Sequence, residues 1–137
     1  MSIMAVLSRK QVKYLDKLFY DVPALAQAVE EIRSMEQTAA EQSSDPTAKT
    51  AAVNLEPVPA VLGYENPERW LEAVQDTWQR YGSDTPIGKC MRRRYKLHES
   101  AETTAAKEAI GVGTYFYWRN EFLLYAAFTA IKNGCRF

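Results

Sequence analysis

Arg119 and Asn120 stand side by side in a long aromatic segment, TYFYWRNEFLLYAAFTAI, residues 114–131. An arginine can donate a bidentate pair of hydrogen bonds to guanine, and an asparagine can bond adenine in the same way. The pair therefore has the chemistry of base-edge readout, with Thr114, Tyr115 and Tyr117 just ahead of it. Three consecutive arginines, Arg92, Arg93 and Arg94, lie further upstream. With Thr114 they would take phosphates, contacts that position a duplex without reading its sequence.

Enzyme chemistry finds no comparable set of residues. His98 is the single histidine, at a helix end, and no nucleophile–histidine–acid spacing surrounds it. Cys90 and Cys135 lie in no CxxC or Cys/His pattern, so they are expected as buried thiols and not as a disulfide or a zinc site. There is no glycine-rich phosphate loop. The expectation is a protein that is not an enzyme and has no cofactor and no metal.

The candidate contacts must be positioned by helices. Ala101–Ile110 reads as a short helix with Ser100 as its N-cap, followed by a Gly111-Val112-Gly113 turn and a long helix over Thr114–Ile131. Gly111 is expected to take positive φ, with Gly113 or Thr114 capping the second helix. A short helix, a small-residue turn and a longer helix form the outline of a helix-turn-helix. In its DNA-binding form the start of the second helix meets base edges. An ordinary helical hairpin in a bundle core has the same outline.

Upstream, apolar spacing predicts helices over Arg9–Tyr20 and Val22–Thr38, broken at Asp21-Val22-Pro23 into a hairpin or sharp corner. A loop over Gln42–Asp45, a third helix from Pro46 and a proline-containing hinge over Glu56–Gly63 follow. Asn66-Pro67 and Thr85-Pro86 start helices over Pro67–Tyr81 and Pro86–Lys96. The second of these is expected to turn Met91, Tyr95 and Leu97 inward and the arginines outward. The expected fold is all-α. An N-terminal helical hairpin with linker occupies residues 1–63, and a helix-turn-helix domain occupies residues 64–137. Trp70, Val74, Tyr95, Ile110, Trp118, Phe122 and Ala126 are the expected core, with Tyr115 at its edge.

The 137 residues suit one ordinary domain or two very small ones, and a 47% hydrophobic fraction is that of a globular chain. Net charge is zero, but residues 86–137 carry nine Lys/Arg against four Asp/Glu, 9 − 4 = +5, which leaves −5 for the rest. That asymmetry points to a basic, DNA-facing end, although an arginine run is also a common solvated helix face. The apolar run Phe122–Phe128 is too short to cross a membrane. The cations of MSIMAVLSRK follow its apolar residues, the reverse of an export signal, so a cytoplasmic location is expected.

Several segments carry a family resemblance: Ser44-Asp45-Pro46-Thr47-Ala48, Asn66-Pro67-Glu68-Arg69-Trp70, Arg93-Arg94-Tyr95, and above all residues 113–125, GTYFYWRNEFLLY. Through them the C-terminal half resembles region 4 of sigma factors. The chain from Ser8 to Ile131 resembles the RinA/ArpU family of phage transcriptional regulators, whose members carry a similar T-Y-Y-x-W-R-N-E segment. The resemblance implies late-gene activation in a bacterial host, through binding double-stranded DNA upstream of a promoter, with RNA polymerase as a further partner. It allows two alignments of the turn. With Gly111 at the turn, Lys107 falls on a small buried site. With Ala109 there, Ala105 fits that site and Glu108 falls on an apolar one. The second alignment is preferred, because it brings Val112-Gly113-Thr114 into line with the sigma-type turn. The competing reading is a protein-interaction module, either an RNA polymerase adaptor or a phage assembly or packaging factor, with self-association open in both cases.

Overall fold

The structure, a computed structural model, describes residues 7–42 and 58–137. Among these residues the chain is helical. The extended contacts are limited to an isolated bridge between Val61 and Tyr64. No described helix is long and apolar enough to cross a membrane.

The first helix, α1, runs without interruption over Arg9–Gln42 and contains Pro23. Ser8 starts it through a reciprocal cap: its Oγ accepts the Gln11 amide at 3.1 Å while Gln11 Oε1 accepts the Ser8 amide at 2.9 Å. The expected hairpin at residues 21–23 is not present. A proline inside a helix removes one hydrogen bond and costs about 3 kcal/mol. Against this, Leu15, Leu18 and Phe19 before the proline and Leu25 and Val29 after it all bury in one core. Each such side chain contributes roughly 1.5–3 kcal/mol, so a continuous stripe outweighs the break. Asp21, at the expected break, pairs with Lys17 at 2.7 Å and accepts the Tyr64 hydroxyl at 2.8 Å.

The expected loop and third helix over residues 43–57 lie outside the described residues. The following segment is fastened to the body instead of hanging as a hinge. Val58 and Tyr64 are buried, and Leu62 and Gly63 take positive φ in the tight Val61–Tyr64 turn.

Helix α2, Pro67–Arg80, starts at Asn66-Pro67 as the sequence suggests, but Asn66 is left-handed and its side chain makes no cap. Its backbone carbonyl accepts the Trp70 amide instead. Trp70, Ala73, Val74 and Thr77 form the buried face. The Arg33–Glu68 ion pair ties α1 to the start of α2.

Helix α3, Pro86–Tyr95, is capped by the Thr85 hydroxyl on the Gly88 amide at 3.0 Å. Gly88 is required by close backbone approach, since a Cβ there would lie 2.0 Å from the Gly82 carbonyl oxygen. Gly88→Ala is expected to destabilise the protein by roughly 1–3 kcal/mol, read as a lower denaturant midpoint. An unchanged midpoint would mean that α3 does not press on the preceding turn.

Helix α4 spans Ala101–Lys107 with Ser100 as its side-chain cap, and α5 spans Val112–Lys132. α5 crosses the core. Phe122 is fully buried among Phe19, Trp78, Tyr81 and Tyr95, with ring centroids 4.9, 4.9, 5.6 and 6.1 Å away. The buried cluster draws on residues from both sides of the expected boundary at 63/64, so the core is not divided there. Trp70, Val74, Tyr95, Phe122 and Ala126 are buried as expected. Two of the expected core residues, Ile110 and Trp118, are only partly buried, and Leu97 is exposed. Both cysteines are free and buried.

Candidate nucleic-acid interface

The corner between α4 and α5 is made by an alanine. The Ile110 amide donates to the Ala105 carbonyl at 3.0 Å and the Ala109 amide to the Ala106 carbonyl at 3.3 Å. This double bond pattern needs a left-handed residue just past the helix end. Ala109 supplies it at φ 56°. The expectation of positive φ at Gly111 is corrected. Gly111 is extended, at φ −76° and ψ 154°, and is the N-cap of a helix that begins at Val112, not Thr114.

Ala105 is buried and Lys107 exposed, so the alignment with Ala109 at the turn fits the geometry better. Glu108, which that alignment puts on an apolar site, is half-buried and accepts Arg93 Nε at 2.8 Å. An ion pair stands where an apolar contact is usual.

The start of α5 is open. Residues 111–114 are exposed, and Tyr117 is 44% exposed. No side chain caps this end, and the first intrahelical bond is from the Tyr115 amide to the Gly111 carbonyl. The amides of Val112, Gly113 and Thr114 therefore have no intrahelical acceptor. Together with the Thr114 hydroxyl they form a group of donors at the positive end of a 21-residue helix, a good position for an anion.

The remaining candidates do not join Thr114 and Tyr117. Tyr115 is fully buried, and Asn120 is 4% exposed. Arg119 bonds the Asn120 Oδ1 through Nε and Nη2, at 3.3 and 3.1 Å, and its guanidinium lies 4.9 Å from the Phe116 ring centroid. At 100° per residue, Arg119 falls between the buried Tyr115 and Leu123, on the inner half of α5. The expected base-reading pair therefore belongs to a different face from Thr114 and Tyr117.

The three arginines are also engaged within the protein instead of pointing outward. Arg92 donates to the Tyr81 and Gly88 carbonyls at 3.3 and 3.4 Å, and lies over Trp78. Arg93 joins Glu108 and Glu99, tying α3 to both ends of α4. Arg94 clamps both Asp16 oxygens at 2.9 Å and donates to the Tyr115 hydroxyl at 3.1 Å. The Tyr95 hydroxyl adds a 2.7 Å bond to Asp16, and burial first, then the Asp16 charge, pushes the Tyr95 pKa well above its ordinary value.

Asp16 is thus the keystone of a polar cluster that the sequence reading did not single out. Its signal was present: Val12, Asp16 and Phe19 share helical spacing, which puts a carboxylate on an apolar stripe. A carboxylate in that position needs a cationic partner. Scans against protein-family models, curated proteins and solved structures find no match to this chain.

Proposed function

We propose that this chain is a duplex-DNA-binding transcription regulator of the RinA/ArpU type, acting through the α4–α5 corner as a helix-turn-helix. The observation that carries the reading is the open start of α5. Three amides without intrahelical acceptors and the Thr114 hydroxyl lie beyond a left-handed Ala109 turn, with Tyr117 exposed one turn further on. Donors at a helix start suit a phosphate, and an exposed tyrosine next to them can reach a base or a sugar. In this reading Arg92, Arg93 and Arg94 brace the motif and do not touch DNA, and Arg119 and Asn120 serve a separate face. Late-gene activation and contact with RNA polymerase belong to the same proposal.

A second reading has its own observation. Tyr117, Phe128 and Ile131 are exposed apolar residues within about 60° of one another around α5, at 44%, 56% and 55%. Such an outward face also suits a protein partner, as in an adaptor on RNA polymerase.

Titration of duplex DNA from the flanks of the encoding gene, at several salt concentrations, separates the two. Thr114→Glu sets a carboxylate against the phosphate position and is expected to weaken binding at least about tenfold. Arg93→Ala is expected to leave the salt slope unchanged, because that arginine is already paired within the protein. No binding by the folded protein at low salt would remove the DNA reading and favour the adaptor. A salt slope reduced by about one unit in Arg93→Ala would return that arginine to the interface.

A further inference from the structure

The face of α5 that carries Arg119 and Asn120 borders a cleft of about 430 Å³, closed on its other side by the first turns of α1. Leu7 and Val12 give the cleft apolar walls, and Arg9, Lys13 and Arg119 give it three cations. Among the described residues none of these cations is in a salt bridge. Asp16 is the one acid in the lining, and Arg94 and Tyr95 already hold it. The cleft therefore has an uncompensated positive charge, reinforced by the start of a 34-residue helix.

Asn120 adds a neutral donor to the cleft lining. Its side chain is 96% buried in the cleft wall, from a relative exposure of 4%. Its Oδ1 is taken by Arg119, while its Nδ2 donates no hydrogen bond among the described residues. This Nδ2 is not one of the buried atoms left without a partner, so it is an accessible donor in the cleft lining, free to meet an acceptor that arrives there. What fits is acceptor-only and negative at one end, to meet Asn120 Nδ2 and the charge of Arg119. At the other end it is apolar, to lie on Leu7, Val12 and the stem of Lys13.

We propose that the cleft between the first turns of α1 and the middle of α5 is a binding site for a small carboxylate with an apolar body. The site is independent of the DNA reading, because it uses a different face of α5.

The test is calorimetric titration of the full chain with octanoate, with octan-1-ol and inorganic phosphate as the comparison ligands. Saturable octanoate binding with a Kd of about 1 mM or tighter is expected. Lys13→Gln and Arg119→Gln should each weaken it about tenfold. Arg9→Gln and Lys13→Gln change exposed side chains, so they carry the same test if Arg119→Gln fails to fold. Absence of saturation, affinity unchanged in the folded variants, or octan-1-ol binding as tightly as octanoate would each overturn the proposal. Inorganic phosphate binding as tightly as octanoate would also overturn it, since the apolar body would then contribute nothing.

Discussion

Phe122→Ala is expected to destabilise the protein by about 3–5 kcal/mol and to lower its melting temperature by about 10–20 °C. The side chain is fully buried and touches rings from three other helices: Phe19 on α1, Trp78 on α2 and Tyr95 on α3. Truncation removes the shared packing surface of α1, α2, α3 and α5, and rings fixed on separate helices cannot all collapse into the space. Native stabilities of about 5–15 kcal/mol make this a large fraction of the total. Trp118→Ala should cost clearly less. Trp118 is only partly buried and lines an open groove beside Tyr81, Pro86 and Ile87. Thermal melts of the two variants decide the matter. Equal losses, or a larger loss for Trp118, would mean that α5 presents a different face to the core.

Arg94→Met is expected to cost about 3 kcal/mol, because it leaves the Asp16 carboxylate with the Tyr95 hydroxyl but no cation. The two side chains are 13% and 22% exposed, so water screens the stranded charge poorly. Adding Asp16→Leu should restore part of the loss, since an apolar pair in a buried site often equals or exceeds an ion pair. Strictly additive losses in this double-mutant cycle would show that the two residues do not interact.

The same cluster sets an alkaline limit. The folded state raises the pKa of Tyr95, by burial first and then by Asp16. Above about pH 10 the unfolded tyrosine releases a proton that the folded one keeps. The stabilising contribution is therefore complete below that pH and is lost as pH rises toward the folded value. The urea midpoint should fall above about pH 10, and less steeply in Tyr95→Phe. A midpoint flat to pH 11 would contradict the buried position of this hydroxyl.

The sequence by itself determined the elements governed by local chemistry. Helical apolar spacing, Ser100 as a side-chain cap and the proline after each of Asn66 and Thr85 mark where helices begin. These signals act within a few residues, so they survive whatever the rest of the chain does. The inward faces of α2 and α3 were also legible through Trp70, Val74 and Tyr95, since 3.6-residue periodicity is a property of one helix.

Tertiary structure decided the rest, in each case because a distant residue altered the local balance. Pro23 reads as a break, yet α1 continues because residues on both sides of it bury in one core. Gly111 reads as the left-handed residue, yet Ala109 takes that role and Gly111 caps the next helix in an extended conformation. Arg92, Arg93 and Arg94 read as a basic surface, yet their partners come from residues as far away as Asp16, 78 positions earlier in the case of Arg94. Charge in a sequence gives the supply of cations. Whether a cation remains available to a ligand depends on which carboxylates the fold brings beside it, and that is settled only when α1, α3 and α5 pack together.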